Sequence, residues 1–405
     1  MRKTGISTKK KVKKKTDVKR GLCLFLLVFW ILILSIPFMS SSASGELAEP
    51  SNKSLDTQIG QMLMVGFRGL AADNQSPIIQ DIRKRNIGGV ILFDYDVPSK
   101  SPIRNIKSPE QVKALTAALQ KASSIPLFIA IDQEGGKVNR LKEKSGFPPS
   151  VSEQCLGSID NSSTTERFAK ITAKTLANLG INLNFAPVVD LNINSDNPVI
   201  GKLERSFSAD PDIVVKHSLI VINTLHDFGV LSAIKHFPGH GSSLNDSHKG
   251  LVDVTNSWSP NELKPFEAII KSGKCNMIMT AHIFNGKIDP EWPATLSSRT
   301  VKGILRKDLK YRGVVISDDM QMKAIRSFYG LETAIKMAIS SGVDILLFAN
   351  NSVFEEDIAT RALAIIKKLL TRGEISPRRI NESYMRIMKL KEKINYPAAS
   401  HGVSK

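Results

Sequence analysis

The segment KHFPGHGSSLNDSHKG, residues 235–250, gathers three imidazoles and one carboxylate into a single stretch. Pro238, Gly239 and Gly241 neither continue a strand nor start a helix easily, so the stretch reads as a shaped loop. Within it Asp246 and His248 stand two apart, a spacing at which a carboxylate can orient an imidazole and raise its basicity. Such an imidazole, with an ordinary pKa of about 6.5, passes protons near neutral pH. Taken alone, the pair is also described by a solvated polar loop, the commoner meaning of such a pattern. His236 and His240 stand four apart but flank Pro238 and Gly239 in a loop rather than on a helix, and the three histidines do not match a zinc ribbon, so no metal centre is expected.

A second stretch, GVVISDDMQM at 313–322, ends an apolar run in two carboxylates. Neighbours on a strand face opposite sides, so only one of the two can point toward a common pocket. Asp318 is the functional candidate, as a nucleophile toward a sugar C1, an electrostatic partner or a metal ligand. Asp319 reads as an N-cap of the following helix. A third stretch, IAIDQEGGKVNRL at 129–141, sets Asp132 at a strand end and Arg140 eight residues later, an acceptor and a donor able to converge on hydroxyl groups. Glu134 and Lys137 read as a structural ion pair.

The elements that must position these groups alternate along the chain. Apolar or β-branched runs at 62–67, 89–93, 126–132, 182–191, 231–237, 276–282, 313–319 and 344–349 read as strands. Residues 109–122, 164–179, 211–228 and 355–371 repeat apolar positions at three and four, and Gly180, Gly229, Gly273 and Gly342 stand where helices should stop. Near-continuous apolar strands alternating with helices imply a covered parallel sheet, and eight such units suggest an α/β fold of the (β/α)8 TIM-barrel type. A doubly wound open sheet is the competing architecture. In a barrel the chemistry lies at the carboxyl ends of the strands, where Asp132, Lys235, His236, His282, Asp318 and Asp319 all fall.

The formal charge of +18 excludes less than it first suggests, because residues 1–20 carry ten Lys or Arg against Asp17 alone. What remains is mixed, with no basic stripe interleaved with aromatics, so nucleic-acid binding is not expected. The apolar run at 21–39 follows the basic stretch and precedes the small residues 40–45, the order of an export signal and a length sufficient to span a bilayer. The expected organisation is therefore a signal peptide or membrane anchor at 1–45, a linker at 46–54, one barrel domain at 55–395 and a tail at 396–405. The barrel domain is placed outside the cytoplasm, in the periplasm, envelope or medium, with the membrane as a partner if the signal stays uncleaved. Cys155 and Cys275 read as buried free thiols rather than a disulfide.

The motif KHFPGHG followed by four residues and DSH, together with IDQEGG and SDDM at strand ends, resembles the β-N-acetylglucosaminidases of glycoside hydrolase family 3, over roughly residues 55–395. The resemblance implies a retaining hydrolase of terminal β-linked N-acetylglucosamine, acting on peptidoglycan fragments or chitooligosaccharides. It makes Asp318 the nucleophile of a covalent glycosyl-enzyme, His248 the general acid/base and Asp246 its partner. It carries sugar binding to Asp132, Arg140, Lys235 and His236, to Arg205 in ERSFSADP, and a pocket-lining place to His282 in MTAHI. A carbohydrate substrate, no cofactor and a monomeric state follow from it. An imidazole acid/base repels an incoming anion less than a carboxylate would, which leaves phosphorolysis open beside hydrolysis. β-Glucosidases of the family draw an acid/base from a second domain, and only residues 376–395 follow the eighth strand and its helix here. The alternatives are a β-glucosidase, β-xylosidase or N-acetylglucosaminide phosphorylase, or an inactive sugar-binding envelope protein. Two departures from the family pattern are Lys137, where Arg is usual, and Leu251-Val252, where Leu-Pro is usual.

Overall fold

A computed structural model of the chain describes residues 53–394. The expected export segment at 1–45 and the tail at 396–405 lie outside them. Among the described residues no helix is long and apolar enough to cross a membrane.

Eight parallel strands form one sheet: β1 (Leu63–Gly66), β2 (Gly89–Leu92), β3 (Phe128–Ile131), β4 (Leu183–Asn184), β5 (Leu231–Phe237), β6 (Met277–Thr280), β7 (Val314–Ser317) and β8 (Leu346–Phe348). They are paired in chain order, and β8 returns to β1 with Leu63 opposite Leu346. A single parallel bridge, Ile316 to Ile345, joins β7 to the start of β8, so the sheet curls into a nearly closed barrel. The open doubly wound alternative is thereby excluded. Every residue of these strands is buried, as expected for strands with side chains inside the barrel and helices outside it.

The helices follow the predicted periodicity. Pro109–Ala122, Ser162–Asn178, Pro211–Asp227 and Ile358–Thr371 cover the barrel, each presenting buried apolar residues at three- and four-residue spacing. Gly180, Gly229, Gly273 and Gly342 all adopt positive φ at helix ends, the conformation a side chain would penalise. The long fourth strand expected over 182–191 pairs regularly only at Leu183–Asn184. Pro187 offers no N–H to a ladder, and the chain beyond it is tied to β5 by one bridge, Val188 to Lys235.

The amino end of the barrel is closed by polar anchors. The last helix, Pro377–Lys391, sends Lys391 Nζ to Gln61 Oε1 at 2.6 Å and Gly88 O at 2.8 Å, above the Phe128 ring. Asp344, fully buried, accepts from Arg306, Arg379 and Arg386 and so ties two outer helices to the start of β8. These ties leave the opposite, carboxyl end of the barrel free for loops.

Candidate active site

At that carboxyl end, β3 and β5 supply a buried charge network. Asp132 and Glu134, two residues apart just past the end of β3, both turn to the same ammonium. Lys235 Nζ lies 2.7 Å from Asp132 Oδ1 and 2.6 Å from Glu134 Oε1. Arg205 clasps Glu134 through two bonds of 2.7 and 2.8 Å, and Arg140 stands 3.6 Å from Asp132 and 3.8 Å from Asp94. Burial alone would raise the two carboxyls, but Lys235, Arg140 and Arg205 hold Asp132, and Arg205 and Lys235 hold Glu134, below the usual carboxylate range. Lys235 is 2% exposed, and the two carboxylates offset its burial so that its ammonium stays protonated. The expected pairing of Glu134 with Lys137 is corrected: Lys137 binds Glu204 at 2.8 Å, and Glu134 turns inward to Lys235 and Arg205. Gly135 and Gly136, both at positive φ, make that inward turn possible; a Cβ on Gly136 would stand 2.5 Å from that of Ser152.

His236 continues the network. Its Nδ1 lies 2.7 Å from Asp190 Oδ2 and its Nε2 3.3 Å from Arg205 NH2. Burial, then Arg205 and Lys235, hold its pKa well below the usual imidazole range, so the ring is neutral, donating from Nδ1 and accepting at Nε2. Asp190, with no exposed surface, also accepts the backbone N–H groups of His236 and His240. Asp190 was not among the sequence candidates although it closes the apolar run 182–191, so the strand-end rule that found Asp132 also pointed to it.

Asp318 follows β7. Its Oδ1 accepts the Asp319 N–H at 2.7 Å, and no other described residue hydrogen-bonds its second oxygen. Burial pushes its carboxyl up, while His282, His236, His248 and the Asp319 N–H outweigh that push and keep it ionised. His282 has no exposed surface and spans Thr295 Oγ1 at 2.9 Å and Asp319 O at 3.0 Å. It therefore backs the wall behind Asp318 and fixes the strand end. Asp319 turns away, accepting the N–H groups of Gln321 and Ala349 and the hydroxyl of Ser352. The helix-cap expectation for Asp319 is thus corrected: the next helix, Lys323–Tyr329, begins after Met322, and Asp319 instead ties the end of β7 to the loop after β8.

The loop after β5 carries the dyad. His248 Nδ1 and its own N–H both meet Asp246 Oδ1 at 2.9 Å, which leaves Nε2 free to face a ligand. The hydrogen bond that His248 donates to Asp246 raises the His248 pKa, helped by Asp318, and the same bond lowers Asp246 to about 2. The His248 side chain is 61% exposed, on a loop that leaves the carboxyl end of β5, the same end of the barrel at which Asp318 follows β7. The far side of this loop is fixed by a small parallel pairing of Val252–Asp253 with Ile283–Phe284, the segment just past His282.

The two cysteines among the described residues are free: Cys155 is exposed, contrary to expectation, and Cys275 is partly buried with its thiol pushed up to about 12 by burial. Among the described residues no group of three or more His, Cys, Asp or Glu is arranged to hold a metal ion.

Glu153, 3% exposed, accepts the Val188 N–H beside this network. Burial and then the charge of Glu134 raise its pKa well above the usual value, so the folded protein holds it protonated. A group raised in this way contributes its full stability below its unfolded pKa of about 4.5, and loses it as pH rises toward the folded value. Glu153→Gln is therefore expected to melt with the wild type near pH 4 and at a higher temperature at pH 8. The gain is roughly 1.4 kcal/mol for each pH unit by which the two pKa values differ, up to pH 8. Coincident melting curves at both pH values would remove the buried neutral carboxyl from this account.

Fold and mouth together describe a barrel whose carboxyl end carries an ionised carboxylate after β7 and a carboxylate-held imidazole on the loop after β5. The chain belongs to glycosyl hydrolase family 3: residues 54–390 match the model of the "Glycosyl hydrolase family 3 N terminal domain". Among similar proteins, Beta-hexosaminidase A of Pseudoalteromonas piscicida is 34% identical over 388 residues, covering 85% of this chain and 62% of its own length. A Beta-hexosaminidase of Stenotrophomonas maltophilia is 34% identical over 307 residues, covering 73% and 85%. Of solved structures, a glycoside hydrolase family 3 β-N-acetylglucosaminidase from Paenibacillus sp. str. FPU-7 superposes with a TM-score of 0.78 at 35% identity, over 86% of this chain and 64% of that one. A β-N-acetylhexosaminidase from Beutenbergia cavernae is matched over its whole length at a TM-score of 0.76 and 26% identity. The chain thus spans less than two thirds of the Pseudoalteromonas and Paenibacillus relatives.

Proposed function

We propose that the protein is a retaining β-N-acetylhexosaminidase that releases terminal β-linked N-acetylglucosamine from peptidoglycan fragments or chitooligosaccharides. The observation that carries the reading is the placement of Asp318, with one carboxylate oxygen unengaged among the described residues, just past β7 and of the Asp246–His248 dyad on the loop after β5, at the same end of the barrel. Asp318 attacks the anomeric carbon with its free carboxylate oxygen while the glycosidic C–O bond breaks. The leaving oxygen takes the proton of His248 Nε2, whose ring is held by Asp246 at Nδ1. The neutral imidazole then takes a proton from water as that water displaces Asp318, restoring both groups. Asp132 supplies an acceptor, and Lys235, Arg140 and Arg205 supply donors, suited to the hydroxyls of a hexose, while buried Glu134 holds Lys235 and Arg205 and Asp190 fixes the tautomer of His236. The nearly closed barrel is read as a (β/α)8 TIM barrel over 55–395, acting as a monomer. Residues 1–45, with a basic start and an apolar run, support export to the periplasm, envelope or medium, with membrane attachment if they are not removed.

The test is a panel of nitrophenyl glycosides with and without phosphate. Cleavage of the N-acetyl-β-glucosaminide, neglect of the β-glucoside and β-xyloside, and no dependence on phosphate are expected. Preference for the β-glucoside would refute the substrate class, and a requirement for phosphate would make the enzyme a phosphorylase. On N-acetyl-β-glucosaminides that differ only in the leaving group, His248→Ala is expected to lower kcat/KM by about 10²–10⁴ for an alkyl alcohol and far less for dinitrophenolate, which departs without a proton.

A further inference from the structure

We infer that Asn197 and Asn194, on the loop after β4, are positioning residues for the loop that carries His248; the inference rests on the acid/base assignment above. Asn197 has no exposed surface, and its amide is saturated. Its Nδ2 donates to His240 O at 2.8 Å and Gly241 O at 3.0 Å, while its Oδ1 accepts the N–H groups of Val199 and Ile200, both at 2.9 Å. Asn194 Nδ2 adds a third bond, to Ser243 O at 3.0 Å. On the other side of the same turn, Glu262 Oε2 accepts the Gly241 and Ser242 N–H groups, and Asp190 accepts that of His240. The root of the loop, residues 240–243, is thus held at its carbonyls by asparagines and at its amides by carboxylates.

The residue type follows from the task. A backbone carbonyl only accepts, so the clamp needs a donor. A primary amide gives two N–H groups in one plane and keeps an oxygen for the turn at Val199, whereas a carboxylate would set acceptor against acceptor. The clamp also joins two halves of the site. The loop that bears Asn194 and Asn197 also bears Arg205, whose guanidinium bonds Val199 O, Glu134 and His236. Beyond Ser243 the dyad loop runs only five residues to His248, with Leu244 70% exposed. Ser247 Oγ meets His240 Nε2 at 3.3 Å, again a contact to the root. The direction of His248 relative to the sugar is therefore set where the asparagines grip the chain.

The test compares kcat/KM for alkyl and dinitrophenyl N-acetyl-β-glucosaminides in Asn197→Ala and Asn194→Ala. Asn194 is only half-buried, so its variant carries the test should the other fail to fold. The expected result is a loss of about tenfold or more on the alkyl glycoside and less than about twofold on the dinitrophenyl one, with the Asn194→Ala melting temperature unchanged, since small displacements of a proton donor are costly. In a His248→Ala background the Asn194→Ala change should add nothing, because the group it positions is gone. Equal losses on both leaving groups, an additive effect in that background, or no loss at all would overturn the inference. A wild type inert on every N-acetyl-β-glucosaminide is a different failure, visible without any variant, and overturns the functional reading and this inference with it.

Discussion

Asp318→Asn is expected to lower kcat by about four orders of magnitude while leaving the melting temperature close to that of the wild type. The amide matches the carboxylate in size and keeps an oxygen to accept the Asp319 N–H, so the strand end has no reason to rearrange. It lacks the anionic oxygen needed to form an ester with the anomeric carbon, and no neighbour replaces it, because Asp319 is turned toward Ala349 and Ser352. In the wild type, a slow 5-fluoro amino-sugar fluoride should leave its glycosyl group on the peptide that contains Asp318, read by mass. Label on another peptide, or turnover of the variant above about one part in a hundred, would take the nucleophile's role from this residue.

Lys235→Met should damage both folding and binding. Its ammonium is the shared partner of Asp132 and Glu134, and the methionine chain fills similar space without the charge. Removing one partner from a buried charge network leaves the others uncompensated, a loss of about 3–5 kcal/mol. For a domain of this size that corresponds to a fall of roughly 5 °C in melting temperature, since unfolding entropy grows with length. Arg205 still holds Glu134 through two bonds, so the barrel should fold, but Asp132 keeps only the more distant Arg140. The expected signature is a melting temperature most depressed near neutral pH, where both carboxyls are ionised, with the gap to the wild type narrowing as acid protonates them. A variant as stable as the wild type at pH 7 would show that water, rather than Lys235, balances the pair.

The motif stretches made most of the site legible before any fold was known, because catalytic groups at strand ends lie beside recognisable apolar runs. Asp132, Lys235, His236, His282 and Asp318 are all such positions, and all reach the same end of the barrel. Asp246 and His248 were legible as a local pair since two residues of one loop supply the whole interaction. Glu134 and Asp190 were less legible, although alternation from Asp132 and the end of the run 182–191 pointed to them. Their partners, Arg205 and His236, lie far away in sequence, and no local rule names a partner across 71 or 46 residues. Asp319 was misplaced for the same reason: a strand-end aspartate before a helix looks like a cap, while its acceptors are in fact filled from the loop after β8, thirty residues on.

The sequence by itself determined the alternation of strands and helices, the glycine stops and the identity of the chemical groups. Hydrophobic periodicity and turn chemistry are local properties, written within a dozen residues. The tertiary structure alone decided that the ends of the sheet meet, which carboxylates are ionised, and which way each side chain turns at the mouth. Closure depends on strand twist accumulated around the whole sheet, and the charge state of a buried group depends on neighbours brought from distant parts of the chain.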